Sequence, residues 1–150
     1  MSIGPVMIDL EGASLSAEEK ELINHPLVGG IIFFARNFES VDQIQALVKS
    51  IHANTTQTIL TCVDQEGGRV NRLKTKYQFP KSVTSEYLGT LDNVDSTNFY
   101  GAITASTLAG LGFNVNFAPV VDLSINPDNP IISKFGRAFS ADPEIAAKHA

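Results

Sequence analysis

Four times along this chain a short apolar run gives way to a helix-starting signal, and that alternation is what most restricts the folds open to it. Pro5 to Leu10 reads as a first strand. Ser16 with Glu19 three residues on forms a capping box, in which a hydroxyl and a carboxylate reciprocally satisfy backbone donors; the helix it opens must stop before Pro26. Val28 to Phe34 is apolar enough for a strand buried on both faces, and Ser40 with Gln43 repeats the box. Behind it Val41, Ile44, Leu47, Val48 and Ile51 fall on one helical stripe. A third strand, Thr58 to Val63, is followed by a longer connection through Pro80 and a helix from about Val94 to Leu108, with Gly110 and Gly112 as its stop. The fourth strand, Asn114 to Val121, leads through a polar loop, Ser124 to Ser140, to a last helix with Asp142 as cap and Pro143 at its first position. Strands that alternate with helices build a parallel sheet whose carboxyl ends share one face. The fold class is therefore α/β, and its four βα units are either a small open sheet or half of a (β/α)8 barrel, whose usual size is ~250 residues.

With 150 residues and 43% hydrophobic content, the chain can bury one globular core. Eleven Lys plus Arg against 16 Asp plus Glu give a net charge of -5, which offers no basic footprint for nucleic acid or anionic lipid. The single cysteine, Cys62, lies mid-strand and reads as a buried small hydrophobe in a reducing compartment. Met1 leads into GPVMIDL and not into a charged region, apolar run and cleavage site, and no apolar stretch approaches ~18 residues. The expectation is a soluble, cytoplasmic protein with no membrane partner. HExxH, CxxC and calcium-loop spacings are absent, so neither a metal nor a cofactor is expected.

Chemistry concentrates where the third strand runs into VDQEGGRVNR, Val63 to Arg72. An α/β scaffold places its ligands at the carboxyl ends of its strands, and this end carries two acids, two glycines and two arginines. Asp64 and Glu66 are the obvious pair of carboxylates for general acid and nucleophile or base work. The alternative for Glu66 is an ion pair with Arg69 or a turn cap, and Gly67 and Gly68 signal that the backbone turns there. Asp9, Glu11 and Asp122 also end strands and are expected to support loops. Among the histidines, His25 and His52 sit at helix ends where they complement the helix dipole.

In order, VMIDLEG, GGIIFFARN, VDQEGGRVNR, NVNFAPVVDL and GRAFSADP cover Gly4 to Asp142, and this succession resembles the N-terminal part of glycoside hydrolase family 3, in particular its NagZ-type β-N-acetylglucosaminidases. The resemblance implies a (β/α)8 TIM-type barrel of which residues 1–150 are the N-terminal half, and a retaining hydrolysis of terminal β-linked N-acetylglucosamine from cell-wall fragments. It implies that Asp64, Arg72 and Arg137 bind the non-reducing sugar and cleave nothing themselves. Arg69 is then a structural ion-pair partner; the other reading of Arg137 is a solvated loop arginine. In the resembling family the acid/base histidine, its aspartate partner and the nucleophilic aspartate all follow later motifs, so no catalytic residue is expected in this chain. Lys148 and His149 fall within the last helix and do not match the family's sugar-contacting Lys-His pair, which belongs to a KHFPGHG-like strand. The partner implied is a muropeptide or another N-acetylglucosamine glycoside. Other classes stay open: a sugar-binding module, a half-barrel assembly piece, or a phosphate-binding barrel enzyme, although neither GxxxxGK[ST] nor a strand-following GxGxxG is present. Two uncovered sheet edges predict self-association of the 150-residue chain.

Overall fold

A computed structural model describes residues 3–150, which divide into two compact units. The first is built from the chain up to Asp64, from Arg72–Phe79 and from Thr107–Asn116. It holds a four-stranded parallel sheet in the order β1 (Val6–Asp9), β2 (Val28–Phe33), β3 (Leu60–Val63), β4 (Val115–Asn116). Spatial order equals chain order, with no reversal of winding. A doubly wound sheet needs such a reversal, whereas a barrel does not.

The core explains the segment boundaries. In β2, Ile31 and Phe33 are fully buried on one face. They join Ile44, Leu47, Val48 and Ile51, the inward stripe of the helix α2 (Val41–Asn54), in one apolar cluster. Val41, the fifth member of the predicted stripe, is partly buried against the same cluster. The ring of Phe33 meets Phe113 edge-on at 4.9 Å. β4 is shorter than expected from Asn114–Val121, because its partner β3 ends at Val63, which registers with Asn116. Past that point no strand among the described residues remains to pair with, and Pro119 has no N–H to give. The entry to β4 is fixed by polar contacts: Thr61 N donates to Asn114 Oδ1 at 2.9 Å, and Thr61 Oγ1 donates to the Gly112 carbonyl at 2.9 Å.

Helix starts follow their caps. The box at α1 (Ala17–Leu22) forms in both directions between Ser16 and Glu19. At α2 only half of the expected box forms: Ser40 Oγ accepts from Gln43 N, but Gln43 Oε1 accepts from Glu39 N while its Nε2 donates to the carbonyls of Ala13 and Asn37.

The second unit comprises Gln65–Asn71, Pro80–Ser106 and Phe117–Ala150. It contains α3 (Ser85–Leu91), most of α4 (Val94–Leu111) and α5 (Pro143–His149) around a small cluster of Leu88, Phe139 and Ala146. α3 was not expected. It starts at Thr84, whose Oγ1 accepts from Tyr87 N, and it carries Gly89 mid-helix, which weakens a sequence pattern. The reason for that glycine is packing: a Cβ there would lie 1.8 Å from the Phe139 carbonyl oxygen. α4 continues through Gly110 and stops only at Gly112, whose φ of +93° admits a glycine readily. There Gly112 N donates to Ala109 O and Phe113 N to Leu108 O, a Schellman closure. α5 begins as read, with Asp142 as cap and Pro143 in its first turn. Among the described residues no helix is long and apolar enough to cross a membrane.

Candidate sugar-binding site

β3 ends at Val63, and the chain leaves the sheet as a turn and not as a continuing strand. Glu66 N and Gly67 N both donate to the Val70 carbonyl, closing the EGGRV segment on itself. Gly67 and Gly68 have φ of +90° and +57°, where other residues are strained. A Cβ on Gly67 would also lie 2.1 Å from Val83 O, and one on Gly68 2.5 Å from Thr84 Cγ2. The loop thus seats against the segment that opens α3. Gln65, 4% exposed, is part of the same hold, since its Nε2 donates to Asn71 Oδ1, and Asn71 Nδ2 donates to Ser82 Oγ.

This turn gives the two acids of the motif different partners. In the first unit Asp64 Oδ2 lies 3.4 Å from Arg72 Nη2, with side-chain exposures of 26% and 17%. Both are therefore reachable, yet held. The Arg72 guanidinium also stands 5.7 Å from the centroid of Phe34, and that of Arg36 stands 5.2 Å from the same ring. Phe34 is a site neighbour that the sequence reading treated only as strand; the signal was a second phenylalanine at a strand end followed by an arginine. Arg36 pairs with Asp9 and donates through Nε to the Leu10 carbonyl, so Asp9 supports structure through its carboxylate; Glu11 contributes its backbone N–H, which donates to Glu19 Oε1. Asn37, fully buried, adds donations to the carbonyls of Leu10 and Gly12.

In the second unit Glu66 pairs with Arg137 and not with Arg69. Its Oε2 and Oε1 accept from Arg137 Nε and Nη2, both at 2.8 Å, a two-point charge-assisted contact. The Glu66 side chain is 6% exposed and that of Arg137 22%. Arg137 is therefore not a solvated loop residue. Arg69 was expected in an ion pair; among the described residues it has none, and its guanidinium stacks over Phe135 at 5.2 Å. Asp122 is exposed and has no supporting hydrogen bond among the described residues, against the expectation for it. His149 is buried: its Nδ1 meets Thr97 Oγ1 at 2.7 Å, its Nε2 meets Asp92 Oδ1 at 3.1 Å, and its ring stacks on Phe139. Lys148 joins the same Asp92, whose carboxyl is held below the usual range by the Lys148 hydrogen bond first and the His149 bond second. Burial pushes the Cys62 thiol up, which keeps it inert. No group of three or more His, Cys, Asp or Glu among the described residues is arranged to hold a metal ion.

Comparison with known proteins converges on one family. The chain is 40% identical over 149 residues to a β-hexosaminidase of Photobacterium profundum, covering 99% of this chain and 43% of that protein. It superposes with a TM-score of 0.87 and 33% identity on NagZ from Neisseria gonorrhoeae crystallised with N-trifluoroacetyl-D-glucosamine, covering 99% of this chain and 45% of that one. A family 3 β-N-acetylglucosaminidase from Paenibacillus sp. str. FPU-7 gives a TM-score of 0.90 at 31% identity, over 97% of this chain and 28% of that one. The chain spans less than half the length of the curated relatives it matches. Its sheet is the parallel α/β arrangement of the family's N-terminal barrel domain, present here as a partial barrel. Residues 6–150 match the glycosyl hydrolase family 3 N-terminal domain, and the chain belongs to that family.

Proposed function

We propose that this chain is the N-terminal half of a single barrel domain of a retaining glycoside hydrolase that removes terminal β-linked N-acetylglucosamine from cell-wall fragments such as muropeptides. In this reading Asp64, Arg72 and Arg137 hold the non-reducing sugar, and the acid/base and nucleophile lie in the remainder of the enzyme. The observation that carries it is the partly exposed Asp64–Arg72 pair at the end of β3. A carboxylate and a guanidinium side by side present strong acceptors and donors to neighbouring hydroxyls, and such contacts reject epimers whose hydroxyls point elsewhere. The likeness to a NagZ crystallised with an N-acylated glucosamine supports the choice of sugar. A cytoplasmic location is part of the proposal; its support is the lone cysteine, buried and unpaired with any other.

The test is hydrolysis of p-nitrophenyl β-N-acetylglucosaminide by the whole enzyme. Asp64→Ala is expected to lower kcat/KM by ~10²-fold or more, since losing a charged partner from a desolvated site costs roughly 2–4 kcal/mol. Residues 1–150 alone are expected to show no turnover. Turnover by that polypeptide that disappears in Asp64→Asn would overturn the division between binding and catalytic residues.

A further inference from the structure

Glu66 is the most enclosed acid of the motif and the only one locked at both oxygens to a single cation among the described residues. A nearly buried ion pair is weak evidence of stabilisation, because desolvating both charges offsets most of their attraction. What such a pair does supply is orientation: two parallel N–H···O bonds fix the plane of a guanidinium as one bond cannot. Both partners are themselves pinned. The Glu66 backbone is held by the turn closed on Val70 O, and the two glycines that follow have no room for a Cβ. On the other side Arg137 N donates to Ile132 O, its Nη1 donates to Ile131 O at 3.3 Å, and Gly136 before it takes a left-handed φ of +61°. Gly136 is tied to α3 as well, since its carbonyl accepts from Glu86 N.

We propose that Glu66 is a positioning residue: it touches no substrate, and it sets the plane of the Arg137 guanidinium from which that arginine addresses the saccharide. The inference rests on the sugar-binding role given to Arg137 above. It assigns Glu66, the carboxylate that looked like half of a catalytic pair, to a role exerted through another side chain.

A double-mutant cycle on the whole enzyme with p-nitrophenyl β-N-acetylglucosaminide decides it. Glu66→Gln keeps the shape but loses the charge-assisted pair, and it is expected to lower kcat/KM by ~10-fold or more, the scale of a misplaced binding group. Arg137→Lys, which keeps charge without the planar two-point contact, is expected to fall by a similar factor. Adding Glu66→Gln to Arg137→Ala should then cost nothing further, because Glu66 acts only through Arg137. Glu66→Asp should recover part of the loss, and it also carries the test if Glu66→Gln does not fold, as read by circular dichroism. A further drop of ~10-fold in the Arg137→Ala background would overturn the proposal in favour of a direct chemical role. So would a lowered melting temperature with kcat/KM unchanged, which is the mark of a purely structural pair. An inactive wild-type enzyme sinks the sugar-binding reading itself, whereas an active wild type matched by an equally active Glu66→Gln sinks only the positioning role.

Discussion

The two units of this chain are held together by different physics. Among the described residues, seventeen buried apolar side chains form one cluster in the sheet unit, while in the helical unit the corresponding cluster has three. What the helical unit shows instead is polar and steric fitting: the Glu66–Arg137 contact, the His149–Asp92–Lys148 group, the Gln65–Asn71–Ser82 chain, glycines at 67 and 89 that let another backbone approach, and glycines at 68 and 136 that let side chains approach. Apolar burial scales with area and is tolerant of detail, whereas polar fittings depend on geometry. The sheet unit is therefore the source of stability, and the helical unit the part in which single atoms matter.

The largest expected effect tests that division. Phe33→Ala removes a ring that is fully buried and packed on Phe113, and it should destabilise the sheet unit by about 3–5 kcal/mol in urea unfolding. Leu88→Ala, in the three-residue cluster, should cost clearly less, because it is 8% exposed and has fewer apolar neighbours to strand. Equal losses in the two variants would erase the contrast between the units.

The same contrast decides what could be read from the residues alone. Strands, caps and the α2 stripe are local: Ser16 with Glu19, or Ile44 with Leu47, Val48 and Ile51, carry their meaning within a few positions. Asp64 and Arg72, which the structure brings together, lie on one motif eight residues apart. Glu66 and Arg137 are 71 residues apart, and nothing in the spacing tells a carboxylate that its partner is that arginine and not the nearer Arg69. α3 was hidden for a related reason, since Gly89 answers to a distant carbonyl and not to its own helix. What escaped the sequence is the long-range fitting of the helical unit; what was legible is the local grammar of the sheet unit.

A smaller effect sharpens the comparison from the sheet side. Ser16→Ala deletes the hydroxyl that accepts from Glu19 N, and the Glu19 carboxylate, bonded to both Ser16 N and Glu11 N, loses the fixed end it works against. The expected cost is ~1 kcal/mol, measured as a shift of the urea midpoint with unchanged slope. Ser40→Ala should cost no more, because at α2 the reciprocal half of the box is absent and Gln43 is committed to Glu39 N, Ala13 O and Asn37 O.

The smallest expected effect lies in the helical unit and depends on pH. Asp92 ends α3 in a left-handed conformation, with φ of +47° and ψ of +40°, and its Oδ1 accepts from Lys148 Nζ at 2.8 Å and meets His149 Nε2 at 3.1 Å. These contacts lower its pKa below that of an unfolded aspartate, near ~3.9. A carboxylate with a lowered folded-state pKa contributes stability that is present above the unfolded value and is lost as pH falls through the folded one. The hold of Asp92 on α5 should therefore be intact at about pH 5 and vanish in the acid range below the ordinary aspartate value. The group is half exposed, so water screens the pair and the gain is small. Amide NMR shifts of α5 report it directly: wild type and Asp92→Asn should differ at about pH 5 and draw together as the pH falls through the folded-state pKa of Asp92, below which the wild-type carboxyl is neutral as well. The comparison breaks if the variant's α5 shifts match wild type at the higher pH, because the helical unit would then owe nothing to this charged fitting.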